Sequence, residues 1–251
     1  MTDLVLREDR DGLAVLTLNR PDKLNALTVA LFQQLRNHVQ QLANQTEKVG
    51  LVLIRGAGKC FSAGHDLADI AHGEHPPQPH FQADTIELLA NLPQPVVTAV
   101  HGHCYTGALE LALAGDLIVA AESAKFADTH ARWALVPVWG MSQRLPRRVG
   151  MAKAQEMTYT ARTFSGREAE AMGLVNWCVP DAGFDAALAA TARSILANSW
   201  YSLRANKRLY RETEGLPLRA GLSHEIHRSE GRGPDMAERI AAFMNKTSKL
   251  A

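Results

Sequence analysis

The sequence predicts a mixed α/β domain that ends in a helical region. Three observations predict it. Short apolar strands alternate with helical stretches through most of the chain. From about Phe184 to Lys249 the strand pattern stops and the sequence reads as helix, with breaks near Gly215–Pro217 and Gly231–Pro234. The 251 residues are 46% apolar, enough for a substantial core in one large domain. There is no internal repeat and no low-complexity linker.

The elements follow in order. Leu13–Leu18 reads as a strand, ended by the turn residues Asn19–Asp22. From Thr28, a plausible N-cap, to about Ala43, the residues Val29, Leu31, Phe32, Leu35, Val39 and Leu42 recur at helical spacing. Gly50–Ile54 is a short strand of the buried type, broken by Gly56–Gly58. Ala71–Pro79, rich in His, Pro and Gly, reads as a mobile loop. A helix from about Phe81 to Asn91 leads through Pro93 and Pro95 to a strand at Val96–Val100. A Gly-containing turn precedes a helix at about Thr106–Ala114. Leu117–Ala120 is a further strand and Leu174–Val179 the last.

Composition excludes some function classes. Lys and Arg number 27 against 26 Asp and Glu, a formal net charge of +1. Binding of nucleic acid through bulk positive charge is therefore disfavoured, while a local basic pocket stays open. No apolar run approaches the ~20 residues of a membrane helix, and Met1–Arg10 does not read as a signal peptide. Cys60, Cys104 and Cys178 are too scattered for a disulfide framework or a zinc site, so a reducing cytoplasm is the natural setting.

Three segments carry chemistry. In Arg55–Leu67, Gly56, Gly58 and Lys59 invite a nucleotide-binding reading, but the spacing fails. No Gly-Lys-Ser/Thr follows, and Phe61 stands where a dinucleotide fingerprint needs glycine. What remains is a Gly-rich turn at a helix start, either an oxyanion site or a tight turn capped by Asp66. In Val100–Asp116, Glu110 sits in an otherwise apolar helix. Burial raises a carboxyl pKa toward the range of a general acid/base, and a structural ion pair to an Arg is the alternative explanation, the less favoured of the two. In Lys125–Pro146, His130 is a candidate proton carrier or a packed, capping histidine, near Asp128 and Arg132. His72, His75 and His80 with Glu74 match no compact metal site, nor do His101 and His103 beside Cys104. No Gly-x-Ser-x-Gly elbow is present.

Together these segments resemble the crotonase superfamily, the enoyl-CoA hydratases and isomerases, over essentially the whole chain. Asn19–Leu27 resembles the first CoA-contacting loop. Phe61–Leu67 and Gly102–Asp116 resemble the two oxyanion segments, and Trp139–Pro146 the turn that follows. The resemblance implies a crotonase-like spiral of ββα turns over residues 1–195, with the CoA site. Residues 196–251 would form a helical region that builds homotrimers or dimers of trimers. It implies an acyl-CoA thioester as substrate, with CoA brought by the substrate and no separate cofactor, metal, nucleic acid or membrane. The thioester carbonyl would lie between the N–H groups of Ala63 and Gly107. Lys23, Leu24, Ala26, His65, Asp66 and Leu67 would hold the CoA. Trp139 would shape the acyl pocket, and Lys246 would reach a neighbour's CoA phosphates.

Hydratases of this superfamily use two glutamates. Glu110 falls on the first position and His130 on the second, a departure, with Asp128 two residues earlier as a substitute. The first reading is an enoyl-CoA hydratase. The second is another acyl-CoA reaction on the same platform: double-bond isomerase, racemase, hydrolase or decarboxylase. The third is a non-catalytic binding protein, including the RNA-binding kind. The third is disfavoured because the helix from Thr28 to Ala43 carries only Arg36 as a fixed positive charge.

Overall fold

The computed structural model describes residues 3–247. Strand β1 (Val5–Arg10) turns back through Asp11 and Gly12 into β2 (Leu13–Leu18), and the two pair antiparallel. Both turn residues have positive φ, as a two-residue hairpin requires. Sequence periodicity missed β1 because it is an edge strand whose last three residues, Glu8–Arg10, are exposed. Helix α1 (Val29–Ala43) starts where expected, with the Thr28 hydroxyl accepting from the Leu31 N–H at 3.2 Å. It buries Leu31, Phe32, Leu35, Val39 and Leu42.

Strand β3 (Leu51–Gly56) joins β2 in parallel. Helix α2 (Leu67–His72), which starts after Asp66 as expected and runs two residues into the segment read as loop, and α3 (Phe81–Ala90) lead to β4 (Val96–Val100). Then come β5 (His103–Tyr105), α4 (Gly107–Ala112), β6 (Leu117–Ala121) and β7 (Lys125–Ala127). A 3₁₀ turn at His130–Trp133 precedes α5 (Met141–Val149), α6 (Met151–Thr160), β8 (Phe164–Ser165), α7 (Gly166–Ala171) and β9 (Trp177–Val179). The last strand is shorter than expected. Leu174 and Val175 are buried in the core, and Asn176 spends its side chain on the Ile118 N–H. Helices α8 (Phe184–Leu196), α9 (Trp200–Thr213), α10 (Leu218–Arg228) and α11 (Met236–Thr247) complete the described chain. Lys249 lies outside the described residues.

The strands form two sheets. The larger runs β1-β2-β3-β4-β6-β9, parallel from β2 onward, and the smaller runs β5-β7-β8. Successive passes of the chain thus lay one strand in the large sheet and a short one in the small sheet. Two isolated parallel bridges, Leu27 with His65 and Ser62 with Cys104, place the first pass beside the small sheet. The central strands are apolar on both faces because both are covered. Val52, Ile54, Val96, Val100, Ile118 and Ala120 face the main core. Leu51, Leu53, Val97, Ala99, Val119 and Ala121 face α8, through Phe184, Leu188 and Ala192.

The helical region is tied to the sheet by an indole. A Cβ added at Gly12 or Gly50 would lie 2.5 or 2.3 Å from the Trp200 ring, so those two glycines form its slot. Lys207 on α9 is buried and donates to Asp116 at 2.7 Å and to the Gln94 carbonyl at 2.9 Å.

Candidate active site

Glu110 reaches the site on α4, whose six residues are all buried. Its carboxylate is 1% exposed. Oε1 accepts the backbone N–H groups of Trp139 at 2.9 Å and Met141 at 3.0 Å, and Oε2 lies 3.6 Å from His130 Nε2. Among the described residues no Arg pairs with it, so the structural ion-pair reading is set aside. Burial pushes its pKa above the ordinary value. The two N–H bonds and His130 offset only part of that.

His130 follows β7 and is buried with its ring aimed at Glu110. Its Nδ1 meets Asp128 Oδ1 at 2.7 Å, and the same oxygen takes the His130 backbone N–H at 3.2 Å. Asp128 Oδ2 accepts the Thr158 hydroxyl from α6 at 2.8 Å. Burial acts to raise the Asp128 pKa, but the hydrogen bonds from His130 and Thr158 outweigh it and hold the group below its ordinary value. An anionic acceptor at Nδ1 assigns the ring proton to that nitrogen and leaves Nε2 toward Glu110. Asp128 is therefore not a substitute for the second catalytic position. Both its oxygens are engaged, and it lies behind His130, away from the cavity.

Ala63 is corrected as an oxyanion donor. Its N–H donates to the Leu24 carbonyl at 2.9 Å and is not available. The neighbouring donor two residues on is placed differently. The Gly64 carbonyl accepts from the Leu27 N–H at 2.8 Å, which turns the His65 N–H of the same peptide plane the opposite way. Among the described residues neither the His65 N–H nor the Gly107 N–H, which opens α4, has an acceptor. A Cβ added at Gly107 would lie 3.4 Å from the His65 nitrogen and 2.6 Å from Trp139 Cζ3. His65 and Gly107 are thus the adjacent donor pair, and only glycine fits beneath the indole.

These groups line one cavity of about 390 Å³, walled also by Thr106, Leu135 and Trp139. An adjoining space of about 270 Å³ is lined by Ala63, Leu67, Tyr105, Arg132 and Trp133, and shares His65, Ile70, Thr106 and Leu135 with the first. Trp139 joins the parts. Its N–H holds Glu110, its indole stacks on His65 at 4.6 Å between ring centres, and it packs edge-on against Phe32 at 5.1 Å.

The other expected residues fall at the edge of this site. Lys23 and Leu24 are exposed and Ala26 is half-buried; none lines either cavity. Their segment lies against Ala63–Asp66 through the Leu24, Gly64 and Leu27 backbone bonds. Asp66 caps α2, accepting from Ala68 at 3.1 Å, and pairs with Arg20 at 3.0 Å. Lys246 lies on α11 and its side chain falls outside what is described. Sequence reasoning missed Thr158 and the His65 amide. It weighed Glu74 itself as a metal ligand. Among the described residues no cluster of three or more His, Cys, Asp or Glu could hold a metal ion. No helix among them is long and apolar enough to cross a membrane.

Comparison with known proteins bears on this geometry. The family described as "Enoyl-CoA hydratase/isomerase" matches residues 8–248. "Probable enoyl-CoA hydratase echA8" of Mycobacterium bovis is 34% identical over 250 residues, covering 98% of this chain and 95% of its own. The 1,2-epoxyphenylacetyl-CoA isomerase of Escherichia coli is 32% identical over 261 residues, covering 99% and 98%. The crystal structure of an enoyl-CoA hydratase from Bacillus anthracis superposes with a TM-score of 0.90 at 32% identity, covering 97% of this chain and 96% of that one.

Proposed function

This chain belongs to the enoyl-CoA hydratase/isomerase family, and on that footing we propose that it adds water across the 2,3 double bond of an enoyl-CoA thioester. One observation carries the reading. Glu110 Oε2 and His130 Nε2, both buried, lie 3.6 Å apart at the cavity that His65 and Gly107, whose amides have no acceptor among the described residues, also line.

In this reading the two amides donate to the thioester oxygen, where negative charge develops as the β-carbon is attacked. A water sits within hydrogen-bond reach of both Glu110 Oε2 and His130 Nε2. One of the pair takes a proton from the water as the new C–O bond forms. The other gives its proton to the α-carbon as the enolate collapses. One proton has left the pair and one has entered, so the count is restored, and passage of that proton from the base back to the acid across the 3.6 Å gap readies the site for the next turnover. The chemistry needs a single proton on the pair, and Asp128 stabilises it whenever it rests on His130. Two glutamates would share a proton as neutral acid and carboxylate. Here the charged state is an ion pair, which the Asp128 anion supports.

The CoA moiety would run along the edge made by Lys23, Leu24 and Ala26 against His65–Leu67. Lys246 remains a candidate cation for the CoA phosphates of a neighbouring subunit. A homotrimer, or a dimer of trimers, is supported by the exposed row Leu218, Leu222 and Ile226 at four-residue spacing on α10. Three free, buried cysteines fit a cytoplasmic setting.

The test is a spectrophotometric hydration assay with crotonyl-CoA and a longer enoyl-CoA, comparing wild type with His130→Ala. Turnover in wild type that is lost in the variant supports the reading. Turnover kept in the variant would leave Glu110 as the sole acid/base and refute the shared-proton pair. No turnover in wild type would move the assignment to another acyl-CoA reaction, with double-bond isomerisation tested next.

A further inference from the structure

We propose that Glu74 closes the tail end of the acyl cavity and thereby sets the length of the acyl chain that enters. The proposal rests on the acyl-CoA reading above. Glu74 follows α2 and Gly73, in the segment whose composition reads as a loop. Among the described residues it alone lines both the 390 Å³ cavity of Glu110 and His130 and a separate open cleft of about 560 Å³. That cleft is bounded by Leu4, Arg20, Thr28 and Asp69 on the far side of α2. In this proposal the Glu74 side chain is the partition between the two spaces.

The partition is held from both sides. Oε1 meets His65 Nε2 at 2.5 Å, and Oε2 accepts from Gln82 Nε2 at 3.0 Å. Gln82 is buried on α3, and the His65 ring is stacked on Trp139. Helix α2 contributes no buried residue of its own, so its attachment over the cavity depends on these polar links and on the Arg20–Asp66 pair.

The chemistry of the wall supplies the selection. Ile70, Ala134, Leu135, Val136 and Val138 give the cavity apolar sides. Glu74, with its side chain 17% exposed and both oxygens engaged, gives it a charged end. An apolar tail that reaches this end gains no partner and must strip hydrogen bonds from a carboxylate. A chain short enough to stop before it meets only apolar contacts. The cavity volume lies at the low end of the ~300–1,000 Å³ usual for ligand sites, in keeping with a compact acyl group.

The experiment compares kcat/KM for crotonyl-CoA and trans-2-dodecenoyl-CoA in wild type, Glu74→Ala and Glu74→Gln. Calorimetric Kd values for butyryl-CoA and dodecanoyl-CoA are measured alongside. Wild type is expected to favour the short chain by roughly tenfold or more, the scale on which a pocket rejects excess methylenes. Glu74→Ala, which joins the two spaces, is expected to shrink that ratio by a similar factor, while Glu74→Gln, which keeps the same bulk and can hold both contacts once Gln82 turns its amide oxygen to the new NH2, retains it. Gln82→Ala frees the same carboxylate and should shift the ratio in the same direction, which serves if Glu74→Ala does not fold. An unchanged ratio in Glu74→Ala, an equal loss on both chain lengths, or a wild type with no preference would overturn the proposal. The binding ratios need no turnover. If they follow expectation while hydration is absent, the gate stands and the hydratase reading fails.

Discussion

Replacing Asp128 by Asn tests the buried relay directly, and the structure sets the size of the effect. Two donors converge on Asp128 Oδ1, the His130 backbone N–H at 3.2 Å and Nδ1 at 2.7 Å. An amide nitrogen there would oppose both, so the new side chain must keep its oxygen toward His130. Its nitrogen then faces Thr158 Oγ1, now 2.8 Å from the carboxylate, and the hydroxyl can turn from donor to acceptor. The His130 tautomer survives and only the anion is lost. A charge-assisted hydrogen bond becomes a neutral one, a difference of about 1–2 kcal/mol. If that falls wholly on the transition state, kcat drops roughly 5- to 30-fold. The KM for crotonyl-CoA should change little, because Asp128 touches neither cavity. Steady-state hydration kinetics with a thermal melt check this. Wild-type kcat would remove the Asp128–His130 pair from the reaction. A fall on the order of 10⁴, as when the acid of a Ser-His-Asp triad is made an amide, would mean that the tautomer had inverted and that the new oxygen does not face His130.

Other expectations follow from the same contacts. Glu110→Gln should keep the Trp139 and Met141 bonds yet lower kcat by about 10²–10⁴, the usual worth of a general acid/base. The same variant should melt higher than wild type at neutral pH. Glu110 has a folded pKa above its unfolded one, so its neutral form is favoured in the fold. Stability is lost as pH rises from the unfolded to the folded pKa, and the gain in the variant should vanish below the ordinary value of 4.5. Asp128 has the opposite sign. Its contribution is full above its ordinary value of 3.8 and lost as pH falls through the lowered folded pKa, so acid melts of Asp128→Asn should lose stability less steeply below about pH 4. The pH profile of kcat should be bell-shaped, since the pair lacks a base when doubly protonated and an acid when doubly deprotonated; a plateau across both limbs would refute the shared proton. Gly107→Ala should cost about 10²–10³ in kcat with modest destabilisation, because its methyl meets Trp139 at 2.6 Å and displaces both an amide donor and the support of Glu110.

What was legible in the sequence follows where the physics is local. Strands β3, β4 and β6 are buried on both faces, so they appear as largely apolar runs without polar alternation. Helix α1 advertises its cap and its buried stripe. The small sheet was invisible, because β5, β7 and β8 have three residues or fewer and their pairing joins distant segments. Glu110 stood out because a carboxylate among apolar neighbours has few structural explanations. The oxyanion donor was misplaced for a physical reason. The resemblance points to Ala63 within Phe61–Leu67, yet a backbone donor is selected by the direction of its peptide plane. That direction is set by Leu27, which precedes both α1 and β3 in the chain, through a single bond to the Gly64 carbonyl.

For a related reason the departure at His130 does not by itself dismantle the site. A glutamate there could hold its own proton, whereas a histidine needs an acceptor behind it to fix which nitrogen faces the substrate. Asp128 is that acceptor, and Thr158 holds Asp128. The substitution is thus visible in sequence as a change at one position and intelligible only as a set of three. Trp139 makes the complementary point on the other side of the cavity. It contributes a backbone N–H to Glu110, a ring face to His65 and a roof to Gly107. Read as a lone tryptophan it suggests acyl packing. In place, it couples the oxyanion amides to the carboxylate, so a shift of the indole would move donor and acid together. Trp139→Phe should therefore lower kcat more than it raises KM, and a variant that changed KM alone would show that the indole only packs against substrate.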